Sequence, residues 1–326
     1  MSTEGTLFEF QKRFRGEEDC IEHLERLRWP AGFRCPNCTH DVGYRITFRR
    51  LMQCAVCRHQ TSVTAGTIFH KTRIPLQVWF WMIYLLAQDK GGTPALKIAN
   101  DLGMHYSTVW HLVHKIRYAM KCRDESITLA GFLELDEAVI GPQARKPGRP
   151  TNRQSGGLAP RKKRLGRRAD KADCKTQVEA IVIVERESAH AGNLVMKVIE
   201  TATDGKRTTR DDIRDLVSQR VEPNQWFKTD GCQSHAVLQS LGHRLDMKAM
   251  SGPESCEELP IVHRVISLVK RWLLGRFHGV SQRYLQSYLY EFCFRFNRRD
   301  KQSSICSSLL TACALSLPIQ YAELLR

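Results

Sequence analysis

The sequence predicts an α/β domain preceded by two small modules, a metal-held ribbon and a pair of helices. Three observations predict it. Residues 132–141, Phe-Leu-Glu-Leu-Asp-Glu-Ala-Val-Ile-Gly, alternate apolar and acidic positions as a strand does, and residues 177–184 form a nearly unbroken apolar run suited to a buried strand. Upstream, Cys35-Pro-Asn-Cys38 is followed, after fifteen residues, by Cys54-Ala-Val-Cys57. The 326-residue chain carries a net charge of +16, a field that favours a polyanion, of which nucleic acid is the usual example.

The length leaves room for two or three domains, and a hydrophobic content of 42% supplies an ordinary globular core. Membrane surface is the rival partner for a basic chain, but the longest apolar run, residues 78–87, is too short to span a bilayer. The N-terminus carries Glu4 and Glu9 and lacks an apolar signal core. Twelve cysteines without an export signal imply a reducing cytoplasm, where paired cysteines read as metal ligands before disulfides.

In chain order, residues 1–28 read as a helix, with Phe10, Phe14, Ile21, Leu24 and Leu27 at helical spacing and Cys20 as a buried apolar residue. The four thiolates Cys35, Cys38, Cys54 and Cys57 follow. Each C-x-x-C sets two sulfurs on one tight turn, the arrangement a tetrahedral Zn²⁺ needs, and a closed four-cysteine site is structural. The intervening 44–48 and 51–53 alternate as a hairpin, so residues 1–72 read as an N-terminal helix and zinc ribbon. Residues 73–122 read as a DNA-binding helix-turn-helix. A helix at 74–88 leads to Gly91-Gly92, and two further helices at 94–102 and 107–120 flank Gly103. Ala99, Gly103 and Val109 stand at the contact, turn and locking positions. The second helix would expose Ser107, Thr108, His111, His114, Lys115 and Arg117 to DNA, while Trp110 reads as core.

Residues 125–300 hold the α/β domain. Its first strand puts Glu134, Asp136 and Ala138 on one pleat face, with Leu133, Leu135, Glu137 and Val139 on the other. A basic insertion at 142–176 interrupts the domain. Twelve Lys or Arg lie between 145 and 175, among them Arg161, Lys162, Lys163 and Arg164, and such a loop neutralises phosphates without reading sequence. Further strands are expected at 194–199 and 225–229, and helices at 208–219, 234–241, 258–277 and 284–296; residues 301–326 read as a C-terminal helical tail. Asp230 closes the 225–229 strand against a glycine turn. Two aspartates near strand ends suit a hard divalent cation, Mg²⁺ or Mn²⁺. His263 and Lys270, seven residues apart, share one helix face, where Lys270 would hold a phosphate.

Several stretches together resemble the DDE-type transposases of bacterial insertion sequences, in the group bearing an N-terminal zinc ribbon. They are Arg28-Trp-Pro-Ala-Gly-Phe-Arg-Cys-Pro-Asn-Cys38, Thr64-Ala-Gly-Thr-Ile-Phe-His-Lys-Thr72, Glu134-Leu-Asp-Glu137, Thr229-Asp-Gly231, Val262-His-Arg264, Lys270-Arg-Trp-Leu-Leu-Gly275 and Phe294-Arg-Phe-Asn-Arg-Arg299. The resemblance spans about residues 8–300 and implies an RNase H-like catalytic domain. That domain would cut double-stranded DNA at element ends and join the freed 3′-hydroxyl to target DNA, as a homo-oligomer on DNA. It places Asp136 and Asp230 at the two catalytic aspartates. The third position, seven before the lysine, is Glu, Asn or His in the family, and here it is His263; Glu257 and Glu258 are nearby substitutes that the spacing disfavours. A neutral imidazole removes one negative charge. The competing readings are a DNA-binding regulator and a catalytically impaired copy.

Overall fold

A computed structural model describes residues 6–141, 178–199, 208–248 and 257–324. The basic insertion, with Arg161, Lys162, Lys163 and Arg164, lies outside these residues. The single N-terminal helix expected at 1–28 is two: α1 (Leu7–Arg13) and α2 (Glu17–Arg28). The break falls at 14–16, where Asp19 reaches back to accept the Arg15 and Gly16 N–H groups at 2.8 and 3.1 Å and so starts a new helix.

The ribbon is a three-stranded antiparallel sheet, β1 (Gly43–Ile46), β2 (Leu51–Cys54) and β3 (Gln60–Ser62), in that order. Beyond it, α3 (Leu76–Gln88) is apolar on nearly every side, and Trp79, Phe80, Met82, Ile83 and Leu86 are fully buried. Its first N–H groups are satisfied from another element: the Glu17 carboxylate accepts from Leu76 at 2.9 Å and Gln77 at 3.1 Å. The expected helix pair is present as α4 (Ala95–Asp101) and α5 (Tyr106–Asp124). Ala99 and Val109 are buried between them, and Gly103 turns the chain at φ +63°.

The α/β domain is a five-stranded sheet ordered β6-β5-β4-β7-β8, from β4 (Phe132–Ile140), β5 (Val178–Glu187), β6 (His190–Val198), β7 (Trp226–Asp230) and β8 (Arg244–Lys248). The β4–β5 and β5–β6 pairs are antiparallel, while β7 runs parallel to β4 and β8 parallel to β7. Strand β8 was not foreseen: its residues Arg-Leu-Asp-Met-Lys are mostly polar, as suits an exposed edge. One sheet face packs α8 (Pro260–Phe277) and α9 (Leu285–Phe296) through Val182, Val184, Val265, Val269 and Phe292. The other packs α6 (Arg210–Arg220) and α7 (Val237–Ser240) through Leu133, Ile183, Phe227, Ile213 and Leu238.

The C-terminal stretch is not a detached tail. Helix α10 (Ile305–Leu315) buries Ile305, Leu309, Leu310 and Cys313 in the core formed by α2, α3 and α5, and α11 (Tyr321–Leu324) ends the described chain. The N-terminal helices are therefore completed by the far end of the chain. Among the described residues, no helix is long and apolar enough to cross a membrane.

Candidate functional site

Among the described residues, two regions gather metal-ligating atoms, and they are built by different means. In the ribbon, turns bring Cys35 and Cys38 against Cys54 and Cys57, with Sγ atoms 3.5 Å apart for Cys35–Cys57 and for Cys38–Cys54 and all four within 4.8 Å of one another. Tetrahedral Zn–S bonds place sulfurs about 3.8 Å apart, so this donor set fits one Zn²⁺ with no position left open. The backbone carbonyls of His40 and His59 accept from the Cys35 and Cys54 N–H groups at 2.8 and 3.0 Å, which closes each turn.

The second cluster stands where β7 ends beside the middle of β4. Leu135 pairs with Thr229 in the parallel register, so one step further Asp136 lies beside Asp230. The carboxylates of Asp136, Glu137 and Asp230 each bring an oxygen within 4.8 Å of the others, a hard-oxygen set that fits Mg²⁺ or Mn²⁺. His263, on the first turn of α8, meets the cluster through Asp136, with Nδ1 3.6 Å from Oδ2. Lys270 lies two turns along the same helix, half-buried. Glu258 is occupied elsewhere: Lys228 holds it at 2.5 Å and Lys248 at 2.6 Å, which makes it a tether between β7, β8 and the entry to α8.

Three residues that the sequence did not single out for the site belong to it. Glu137 turns from the opposite pleat face to meet His235 Nε2 at 3.0 Å. His235 is fully buried, and its Nδ1 sits 3.0 Å from Asp230 Oδ1, an ion-pair contact off the line of a hydrogen bond. Glu134, also fully buried, reaches α8. The acids were legible as charges in an apolar strand. His235 had no signal, because a turn brings it to Asp230 from five residues downstream.

Electrostatics separate the two aspartates. Burial raises the Asp136 carboxyl to about 6; His263 opposes this, while Glu137 and Asp230 add to it. Asp230 is held below the usual carboxylate range, first by its contact with His235 and then, against burial, by the Cys232 backbone N–H. Burial alone would lower His235, but Asp230 and Glu137 outweigh it and raise the imidazole to about 10. His235 is therefore clasped between two carboxylates that favour its protonated form.

The expected DNA-facing residues of α5 divide. Ser107 is exposed, and Thr108, His111 and Lys115 are half-buried. Arg117 and His114 are corrections, since both turn inward against α9. Arg117 is 2% exposed, donates from Nε to Glu291 at 2.8 Å and covers the Tyr288 ring at 3.7 Å. His114 pairs through Nδ1 with Ser287 Oγ at 2.9 Å. A recognition helix alone would present both to solvent, but here α5 is the seam with the α/β domain. Trp110 belongs to that seam, 4.9 Å from Tyr284 ring to ring.

A mixed five-stranded sheet carrying a carboxylate cluster, behind a four-cysteine ribbon, defines an α/β protein with two different sets of candidate metal ligands. Residues 128–297 match the ISXO2-like transposase domain, and residues 15–60 match the transposase zinc-ribbon domain. The first match covers more than half of the chain, which therefore belongs to the ISXO2-like transposase family, in its zinc-ribbon-bearing form. No curated protein matches the chain. Among solved structures, the chain is similar to the pre-cleavage Mos1 transpososome at 13% identity, covering 70% of this chain and 76% of that one with a TM-score of 0.26. It is also similar to the Mos1 transposase paired-end complex with the left transposon end, at 12% identity, 73% and 79% coverage and a TM-score of 0.28. At such scores the likeness carries no argument about this chain.

Proposed function

We propose that this transposase cuts double-stranded DNA at the ends of a bacterial insertion sequence and joins the freed 3′-hydroxyl to target DNA, using Mg²⁺ or Mn²⁺. The observation that carries the reading is the placement of Asp136 and Asp230 side by side on parallel strands, with His263 on the helix beside them. The sheet order, with β4 central and β7 and β8 parallel beside it, supports an RNase H-like catalytic domain. Bound divalent ions would activate water or a 3′-hydroxyl and stabilise the leaving oxygen.

The chain's own residues divide the remaining work. Asp136 and Asp230 hold the metal, with Glu137 beside them. Glu137 supplies the third carboxylate in a site where His263 replaces an acid. His263 contributes a ring nitrogen next to Asp136. Lys270 meets a flanking phosphate. Zn²⁺ on Cys35, Cys38, Cys54 and Cys57 holds the ribbon in shape. Ser107, Thr108, His111 and Lys115 on α5 contact DNA, and the basic insertion with Arg161, Lys162, Lys163 and Arg164 neutralises the backbone. Two copies acting on paired ends would account for a homo-oligomer on DNA.

The test is cleavage and strand transfer of element-end DNA by the wild type, Asp136→Ala and Asp230→Ala, with Mg²⁺ or Mn²⁺. Losing several kcal/mol of charge stabilisation lowers the rate by on the order of 10²–10³-fold. Unchanged activity in both variants would refute the catalytic assignment. Cut ends without joined products would make the protein a nuclease instead.

A further inference from the structure

Glu134 is fully buried in the central strand, where an uncompensated carboxylate is strongly unfavourable. Its partners show what it does. Oε2 accepts the backbone N–H groups of Ile261 at 2.9 Å and Val262 at 2.8 Å, and Oε1 accepts from Arg186 of β5 at 3.1 Å. Those two N–H groups belong to the first turn of α8, which has no intrahelical acceptor for them. The helix has Pro260 in its first turn and Leu259 as its N-cap, with no side-chain cap of its own. A carboxylate from the sheet thus serves as the cap, on the end of the helix dipole that favours negative charge.

The placement matters because of the neighbours at both ends. Glu134 and Asp136 stand on the same pleat face of β4, and Val262 is adjacent to His263. One hydrogen-bonded anchor therefore sets the strand that carries Asp136 against the helix that carries His263 and Lys270. The 3.6 Å approach of His263 Nδ1 to Asp136 Oδ2 lies immediately beyond that anchor. Glu258 makes a second tie nearby, but it is partly exposed and held only by two flexible lysines.

We propose that Glu134 is a positioning residue for the metal site: it fixes α8, and with it His263 and Lys270, at the spacing the Asp136–Asp230 pair requires. This rests on the reading of that site given above. Glu17 provides an internal comparison, since it caps α3 in the same manner far along the chain from the carboxylate cluster. A purely structural cap predicts equal behaviour of the two glutamates, whereas a positioning cap predicts that Glu134 alone controls metal affinity.

The experiment is calorimetric titration of Mn²⁺ into the full-length, zinc-loaded protein, with thermal unfolding and binding of element-end DNA in metal-free buffer as controls. Glu134→Ala is expected to raise the half-saturating Mn²⁺ concentration about tenfold, the usual scale for losing an outer partner of a metal ligand. Glu17→Ala is expected to lower Tm without moving Mn²⁺ affinity. A folded Glu134→Ala protein that binds Mn²⁺ within about twofold of wild type would overturn the proposal. Where the alanine variant does not fold, Glu134→Gln decides. It keeps the shape and removes the charge, so weaker Mn²⁺ binding supports the anchor and unchanged binding overturns it. Asp136→Ala is the separate arm: wild-type Mn²⁺ binding there would sink the reading of the site itself and leave the anchor question apart.

Discussion

The ribbon and the sheet both gather metal-ligating side chains, yet they stand in opposite relations to the fold. The ribbon strands are three or four residues long, and around them Val42, Tyr44, Phe48 and Val56 are exposed. Little apolar surface is removed from water there, so a metal must do what a core does elsewhere. The sheet is apolar on both faces, packed by α8 and α9 on one side and α6 and α7 on the other. Its carboxylate cluster is largely buried beside that packing, where β7 ends against the middle of β4. The lesson is that the thiolate cluster stands in for a core, whereas the carboxylate cluster is added to a scaffold that already has one.

This contrast makes measurable demands. Stripping zinc with a strong chelator, or changing Cys54→Ser, should unfold the ribbon, because structural zinc contributes on the order of 10 kcal/mol to such modules. Metal assay should find one Zn²⁺ per chain before stripping, and the circular dichroism of the sheet domain should persist after it. Melting of both domains together would erase the distinction. Asp136→Ala, by contrast, should leave Tm near that of the wild type.

A smaller effect tests the seam between the regions. Glu291 is fully buried between Arg117 at 2.8 Å and Arg295 at 2.8 Å, which link α5, α9 and the end of α3. Glu291→Ala strands two buried guanidinium groups and should cost about 3–5 kcal/mol in unfolding free energy, read by denaturant titration. His114, in the same seam, is held down to about 3 by burial first and then by Arg117. Its unfolded-state value is 6.5, so between those values the unfolded chain binds the proton and the native chain does not. Stability is thus complete above pH 6.5 and falls with acidity, by about 2 kcal/mol at pH 5. A His114→Gln variant should lose less Tm than the wild type between pH 7 and pH 5. The mildest change is His263→Glu, expected to preserve or raise Mg²⁺-supported cleavage. Loss of activity would show that the imidazole is required.

Much of the framework was legible because it is local. Alternation placed β4, the apolar run placed β5 (Val178–Glu187), and the spacing of Cys35, Cys38, Cys54 and Cys57 defined a ligand set. The misreadings share a cause. Arg117 and His114 lie where a solvent face would be on a lone helix, and only packing against α9 turns them into interior residues. Likewise, α10 looked like a tail until its leucines met those of α2, α3 and α5.

Residue types and periodicity were sufficient to specify the two donor sets: soft thiolates in one module, hard carboxylates on strands in the other. They also specified the secondary structure that carries each, since both follow from short-range geometry. Which acids lie together was decided by the fold. Parallel pairing set Asp136 beside Asp230, a turn inserted His235 between Glu137 and Asp230, and the approach of α8 gave Glu134 the task of a cap. Apart from the Asp230–His235 contact, five residues apart, these pairings join residues roughly 100 or more positions apart, and no local pattern in a chain encodes a contact over that distance.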